Sequence, residues 1–200
     1  MSPQVLPHNF YQDAALQVAR NLLGMRLVHH DQGERLAGII LETEAYDGQQ
    51  DLACHARVGK TQRNEVMFGP AGHAYIYFTY GMHWCLNCVT GEEGYAAAVL
   101  IRSILPIEGI ATIAKRRIKV EKSKWCNGPA KLTQALGIDG QLNGIDLCEI
   151  TSPLVIERDH EIPDQYIQRL PRVGISSVSE PWRSKPWRLL AQPPPEWEMD

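Results

Sequence analysis

The sequence predicts an α+β fold: a single domain in which a curved, mostly antiparallel sheet carries flanking helices and a protruding β-hairpin. Three observations lead there. The chain has 200 residues, a length that suits one compact domain. Extended runs rich in Ile, Val, Tyr and Leu follow one another and are punctuated by glycine. Helical patterns stand before and after those runs without a βαβα rhythm, which argues against a doubly wound sheet. Hydrophobic residues make up 44% and charged residues 22%. That ordinary globular usage sets aside disordered, collagen-like and coiled-coil classes. No apolar run approaches the roughly 18 residues of a membrane span.

The elements follow in order. From Met1 to Tyr11 there is no basic cluster and no apolar stretch, so no secretory signal is expected. Asp13 to Leu23 reads as a helix, with Ala15, Val18, Ala19 and Leu22 on one face, Asp13 as its cap and Gly24 as its end. Extended segments are expected at Leu27–His30, Leu36–Glu44, Ala74–Thr79, His83–Val89 and Ala96–Ile104. Tyr80-Gly81-Met82 lies between two of them and reads as a hairpin tip, with Gly81 supplying the positive φ of a tight turn. Pro106 is expected to open a second helix, Ile107 to about Lys119, whose end carries Lys115, Arg116, Arg117 and Lys119. Asn127-Gly128-Pro129 opens a third, Ala130 to Leu136, closed by Gly137. Ile145 to Val178 reads as short strand-like runs. Residues 1–190 are expected to form the domain and 191–200, with Pro193–Pro195 and several acids, a loose tail.

The five cysteines (Cys54, Cys85, Cys88, Cys126, Cys148) are an odd number in a chain too large to need stapling, so reduced thiols are expected. Cys85 and Cys88 spell C-x-x-C within a strand, where positions three apart face opposite ways. With no second such pair, buried thiols outweigh a metal or redox site.

The chemistry-bearing residues fall between 41 and 102. In Leu41-Glu-Thr-Glu-Ala-Tyr46, strand alternation puts Glu42, Glu44 and Tyr46 on one face. A carboxylate beside an aromatic and a like charge has its pKa raised and can serve as a general base. Taken alone, the hexapeptide fits two glutamates on a solvated strand face better than it fits a catalytic base. His55 in a loop could be a ligand, a base-stacking ring or a hydrogen-bonded structural residue. Residues 75–84 hold three tyrosines, a Phe and a Trp, in a chain only 8% aromatic. Tyr80, beside the turn glycine, is placed to project and wedge into a base stack or meet a protein; otherwise it is left over from a core of aromatics. Asn87 and Arg102 are polar residues in apolar strands, which need partners or line a site.

Together these residues match a family. Glu42-Thr-Glu-Ala-Tyr46, His55-Ala-Arg57, Arg63-Asn64, Met67-Phe68, Tyr75-Ile-Tyr77, Tyr80-Gly-Met82, Cys85-Leu-Asn87 and Val99-Leu-Ile-Arg102 resemble, in order, the alkyladenine (3-methyladenine) DNA glycosylases. The resemblance continues through Asn127-Gly-Pro-Ala-Lys-Leu132, Gln134-Ala-Leu136 and Arg172-Val-Gly174, and covers Asp13 to about Arg188. It implies a monofunctional enzyme of base excision repair that flips alkylated or deaminated purines out of damaged double-stranded DNA and leaves an abasic site. The lesion class includes 3-methyladenine, 7-methylguanine, hypoxanthine and ethenoadenine.

Carried over residue by residue, Glu44 would activate the water and stabilise the cationic sugar, with Arg102 holding the water or orienting Glu44. Tyr46, His55 and Tyr77 would stack on the flipped base. Leu100 and Asn87 would complete the base site, Asn87 by crowding the 2-amino group of guanine. Tyr80 would fill the gap in the duplex, and Arg57, Lys60, Arg63 and Lys131 would meet the phosphate backbone. No general acid is evident. No metal or cofactor is implied, and no lysine at these positions supports Schiff-base chemistry. A monomer without a membrane partner is expected, cytoplasmic and nucleoid-associated if bacterial. The loop Arg57–Arg63 looks one residue shorter than in vertebrate members, and their long N-terminal extension has no counterpart here, so a compact, bacterial-type member is expected. Two other readings stay open on the residues alone: a small-molecule glycoside hydrolase using Glu42 and Glu44, and a non-catalytic nucleic-acid-binding module.

The formal net charge of −3 stands against a duplex partner at first sight. The charge is segregated, however. Residues 111–140 hold seven basic against two acidic residues, while 141–200 hold six against ten. The positive segments are expected to flank or follow the proposed pocket, and only local charge meets phosphate.

Overall fold

A computed structural model describes residues 4–192 of the chain. Eight strands form one sheet: β1 (Arg26–Asp31), β2 (Glu34–Asp47), β3 (Ala74–Thr79), β4 (His83–Thr90), β5 (Ala97–Glu108), β6 (Leu154–Glu157), β7 (Ile167–Leu170) and β8 (Arg188–Ala191). Four α-helices flank them: α1 (His8–Tyr11), α2 (Ala15–Leu22), α3 (Ile110–Arg116) and α4 (Pro129–Leu136). The main path of the sheet runs β3-β4-β5-β2-β1-β6, and its pairings are antiparallel. This is the α+β class expected.

The organising element is β2. One of its edges pairs with β5 along almost its full length. The other edge is shared: Glu34 to Ile39 pair with β1, and Glu42 to Glu44 pair with β8. Register shifts near Gly38 and between Ile40 and Thr43 mark bulges, which bend a strand and raise its twist. Glu44 therefore lies in the middle of the sheet, opposite Leu100 on one side and Arg188 on the other.

Alternation sorts the strands into two faces. Ile76, Leu86, Cys88, Val99 and Ile101 join Val18, Ala19 and Leu22 of α2 in the main core, and the Thr43 hydroxyl donates to Ala19 O at 2.9 Å. The opposite face carries Tyr75, Val89 and Ala98, which pack with Cys54, Ala56 and Met67 in a smaller second core. Cys85 and Cys88 take opposite faces as expected, and all five cysteines are free thiols.

The hairpin between β3 and β4 turns at Tyr80 (φ 50°) and Gly81 (φ 66°), with Met82 N donating to Thr79 O. Two left-handed central residues make the turn whose twist matches flanking strands. Tyr80 is 83% exposed.

Several boundaries differ from expectation. Pro106 does not open a helix: β5 runs on through Pro106, opposite Gly38, to Glu108. Strand β4 pairs only with Ala97 to Leu100, so the far half of β5 is an edge, where a proline costs no ladder bond. Glu108 is tied to Arg26 and Arg35, and Gly109 (φ 70°) turns the chain into α3 at Ile110. Asp13 does not cap α2; Ala14 holds that place without a side-chain bond. Helix α1 and strand β8 were not expected. Ala191 closes β8 and Gln192 N donates to Tyr166 O, so the segment read as a tail begins inside the sheet. Pro193–Pro195 lie outside the described residues. Among the described residues no helix is long and apolar enough to cross a membrane.

Candidate active site

The second face of the sheet opens into a cavity of about 450 Å³. Three neighbouring strands supply its floor through every second residue: Tyr75 and Tyr77 from β3, Cys85 and Asn87 from β4, and Ala98, Leu100 and Arg102 from β5. Tyr46 from β2, His55 at the start of the 3-10 turn His55–Val58 beyond it, Tyr80 and His83 from the hairpin, and Val173 and Gly174 also line it. Pro129 and Ala130 bring the N-terminal end of α4 to its rim.

Glu44 lies directly behind this lining and is 0% exposed. Its Oε1 accepts from Val173 N at 2.7 Å and faces Arg102 Nη1 at 3.3 Å; its Oε2 accepts from the Tyr46 hydroxyl at 2.8 Å. Burial pushes the Glu44 carboxyl above the ordinary carboxylate range. Arg102, the Val173 amide and the Tyr46 hydroxyl pull it back, and Glu42 adds to the upward push. Glu42 does not border the cavity. Its Oε1 accepts from both Arg102 Nε (3.0 Å) and Arg188 Nη1 (2.9 Å), so it braces Arg102. Neither glutamate is on a solvated face, and the paired acid/base arrangement of the glycoside-hydrolase reading finds only Glu44 behind the cavity.

His55 and Tyr77 meet edge to face, 4.6 Å between centroids, and form one wall. His55 Nδ1 and the Tyr75 hydroxyl are 2.9 Å apart. Burial first, and the Arg63 charge second, push the imidazole down to about 4. Burial pushes the Tyr46, Tyr75 and Tyr77 hydroxyls above the ordinary tyrosine value. Asn87 is buried, and its Nδ2 donates to Tyr75 O at 2.9 Å.

Glu44, Tyr46, His55, Tyr77, Tyr80, Asn87, Leu100 and Arg102 are thus brought together. The basic residues divide. Arg57 and Arg63 border a second depression of about 560 Å³ on the other side of His55, and the Arg63 guanidinium lies 5.6 Å over the Tyr77 ring. Lys60 is exposed in the same loop. Lys131 sits in the first turn of α4, one residue from the rim, and bonds Asn127 Oδ1. The cations of α3 lie at the other end of α4: Arg116 reaches Ala135 O, and Arg117 bonds Gln134. At 1.5 Å per residue that is roughly 7 Å along the helix from the rim, so the most basic segment only partly flanks the cavity.

Sequence reasoning missed Cys85 as a cavity residue, the Val173 amide, and Tyr75 as the partner of His55. Tyr75 and Cys85 were accessible from alternation, sharing faces with Tyr77 and Asn87. Among the described residues one trio of metal-type donors comes together, His8, Asp146 and Cys148, within 4.8 Å of one another. None borders the cavity, and His8 Nε2 already pairs with Asp146 Oδ2 at 3.1 Å.

A model of the methylpurine-DNA glycosylase family matches residues 9–195. Similar curated relatives carry the name 3-methyladenine DNA glycosylase. One from Carboxydothermus hydrogenoformans is 49% identical over 90% of this chain and 93% of its own. One from Methanocella arvoryzae is 46% identical over 92% and 91%, and one from Myxococcus xanthus is 44% identical over 92% and 88%.

Proposed function

The chain belongs to the methylpurine-DNA glycosylase family, and from that premise we propose that it excises alkylated and deaminated purines from duplex DNA with a water activated by Glu44. It is a DNA repair hydrolase acting on DNA. The observation that carries the finer reading is the surroundings of Glu44: a wholly buried carboxylate, between Arg102 and the Tyr46 hydroxyl, immediately behind an aromatic cavity of small-molecule size.

The lesion nucleotide rotates out of the duplex and its base enters the cavity, with Tyr46 on one side and the His55–Tyr77 wall on the other. Stacking on these rings favours electron-poor, cationic alkylpurines. Tyr80 fills the vacated stack and offsets part of the few kcal/mol of unstacking. Each carboxylate oxygen of Glu44 has a lone pair beyond the bonds described. One accepts a proton from a water held beside Arg102, and that water attacks the sugar C1′. As the glycosidic bond breaks, positive charge grows on the sugar and the nearby carboxylate stabilises it. A cationic base leaves without an acid. Burial holds the Tyr75 and Tyr77 hydroxyls protonated and the His55 imidazole neutral, so none of these three gives a proton to a neutral lesion at neutral pH.

Among the described residues that line the cavity none is a lysine, in keeping with a product that is an abasic site rather than a nicked strand. Asn87 and Leu100 shape the base edge, Asn87 against guanine. Arg57, Lys60 and Arg63, beyond His55, and Lys131, beside the rim at α4, serve as phosphate contacts. The reading includes a monomer working in the compartment that holds the DNA.

The test is single-turnover release of 3-methyladenine or 7-methylguanine from a lesion duplex. Glu44→Gln is expected to lose on the order of 10²–10⁴ in rate with lesion-duplex binding retained. Substantial residual excision would remove Glu44 from the role.

A further inference from the structure

One buried group behind Glu44 has no part in the reading above. Arg172 and Asp51 are both wholly buried and form a two-pronged ion pair, with Nη2 to Oδ1 at 2.9 Å. Burying two charges costs desolvation on both sides, so such a pair is weak evidence for stability alone. Arg172 follows β7, and its guanidinium lies between two rings, 4.8 Å from the Tyr46 centroid and 5.1 Å from that of Trp187. Nη1 also donates to Ala45 O at 2.9 Å, the residue between Glu44 and Tyr46. Trp187 O accepts from Ala45 N at 2.9 Å. One residue past Arg172, the Val173 amide makes its 2.7 Å bond to Glu44. Both hydrogen bonds that Glu44 receives, from Tyr46 and from Val173, therefore come from chain segments that Arg172 clamps.

We propose that Arg172, locked by Asp51, is a positioning residue for excision: it holds the Tyr46 hydroxyl and the Val173 amide against Glu44 and so fixes the carboxylate's orientation. This rests on Glu44 being the base. The consequence is electrostatic. Hydrogen bonds to an ionised carboxylate favour the charged form, and burial opposes it. The charged and titratable groups facing Glu44 are Arg102 from β5, Glu42 and Tyr46 from its own strand, Tyr77 from β3 and Cys85 from β4. Arg188 of β8 stands beside it in register and binds Glu42. Of the groups that keep Glu44 ionised, Arg102 is held by Glu42 and is independent of Arg172. The Tyr46 hydroxyl and the Val173 amide are not. Loosening Arg172 should make Glu44 harder to ionise while leaving Arg102 in place.

The experiment uses the full chain and an intact lesion duplex. Single-turnover release is followed from about pH 5 to 9 for wild type, Glu44→Gln, Arg172→Lys, and the pair Asp51→Asn with Arg172→Gln. Lysine keeps the charge without the planar fork, and the pair leaves no unpaired charge in the core. Both Arg172 variants are expected to lose tenfold or more in rate at neutral pH, about what a small misplacement costs. Their acidic midpoint should move to higher pH, part of the rate should return as pH rises, and lesion binding should change little. A loss uniform across pH, with an unmoved midpoint, overturns the proposal and leaves Arg172 a structural anchor. Residual excision in Glu44→Gln is a different failure, that of the base itself. If neither Arg172 variant folds, Tyr46→Phe removes one of the two clamped bonds alone; its midpoint must rise, and a midpoint that stays put overturns the proposal.

Discussion

The Tyr46 hydroxyl donates to Glu44 Oε2 at 2.8 Å, from two residues further along the same strand. Strand alternation makes the contact possible, because residues i and i+2 share a face. The contact gives one side chain two duties: its ring borders the cavity and its oxygen holds the carboxylate behind it. Burial first, and Glu44 second, push the Tyr46 hydroxyl above its ordinary value, so it stays protonated and remains a donor.

Glu44 is expected to trade stability for activity. With its carboxyl raised by burial, the folded chain takes up a proton there more readily than the unfolded chain does. The stability this group contributes is complete at acid pH and is lost as pH climbs through the raised value. At neutral pH the ionised carboxylate is a net cost, whereas excision needs it ionised and should fall as pH drops through the same value. Glu44→Gln should therefore melt a few degrees higher at neutral pH while losing excision. A lower melting temperature for the glutamine variant would show that its partners outweigh burial.

His55 should behave as a neutral ring throughout the working range. Its folded value of about 4 lies below the ordinary histidine value. The stability it lends is present above about pH 6.5 and is lost as pH falls through its folded value. An NMR titration of the ring protons should place the midpoint near 4, and Arg63→Ala should move it upward by removing the second cause. A midpoint at the ordinary value would mean that the ring is wet and does not form a wall.

Tyr80 occupies a turn position with φ 50°, a conformation that favours Asn, and its ring is almost wholly exposed. Tyr80→Asn should relieve roughly 1 kcal/mol of backbone strain and leave or raise the melting temperature. The same change should slow flipping, read from the fluorescence of ethenoadenine in a duplex. An unaltered flipping signal would take the ring out of the stack-filling role.

Asn87 faces the cavity and also bonds Tyr75 O across the β3–β4 pair. Asn87→Ser should raise release of undamaged guanine above background, at a folding cost of about 1 kcal/mol for the lost bond. Guanine release that stays at background would put the gate elsewhere.

Much of the site was legible because it is built from sheet residues. Counting in twos puts Glu42, Glu44 and Tyr46 on one face of their strand and Leu100 and Arg102 on one face of theirs, and the turn glycine at 81 marked the hairpin that presents Tyr80; His55, Tyr77 and Asn87 came through the family resemblance. Boundaries were less legible where pairing overrides local signals. Pro106 carries the signature of a helix start, yet β2 holds it in an edge strand. Asp13 is a capping residue type that caps nothing here.

By itself, the sequence determined the α+β class and the faces of the strands it marked, because period-two alternation is a local property of the backbone; the grouping of residues around Glu44 came through the resemblance to a known family. Only the tertiary structure decided which glutamate is buried without exposure, that Glu42 braces Arg102, and that Arg172 and Asp51 meet across 121 residues. Ion pairs of that separation depend on how β8 docks beside β2 and how the segment after β7 folds over Tyr46. No local spacing encodes them, since an arginine in a loop reads the same whether it ends in water or between two rings.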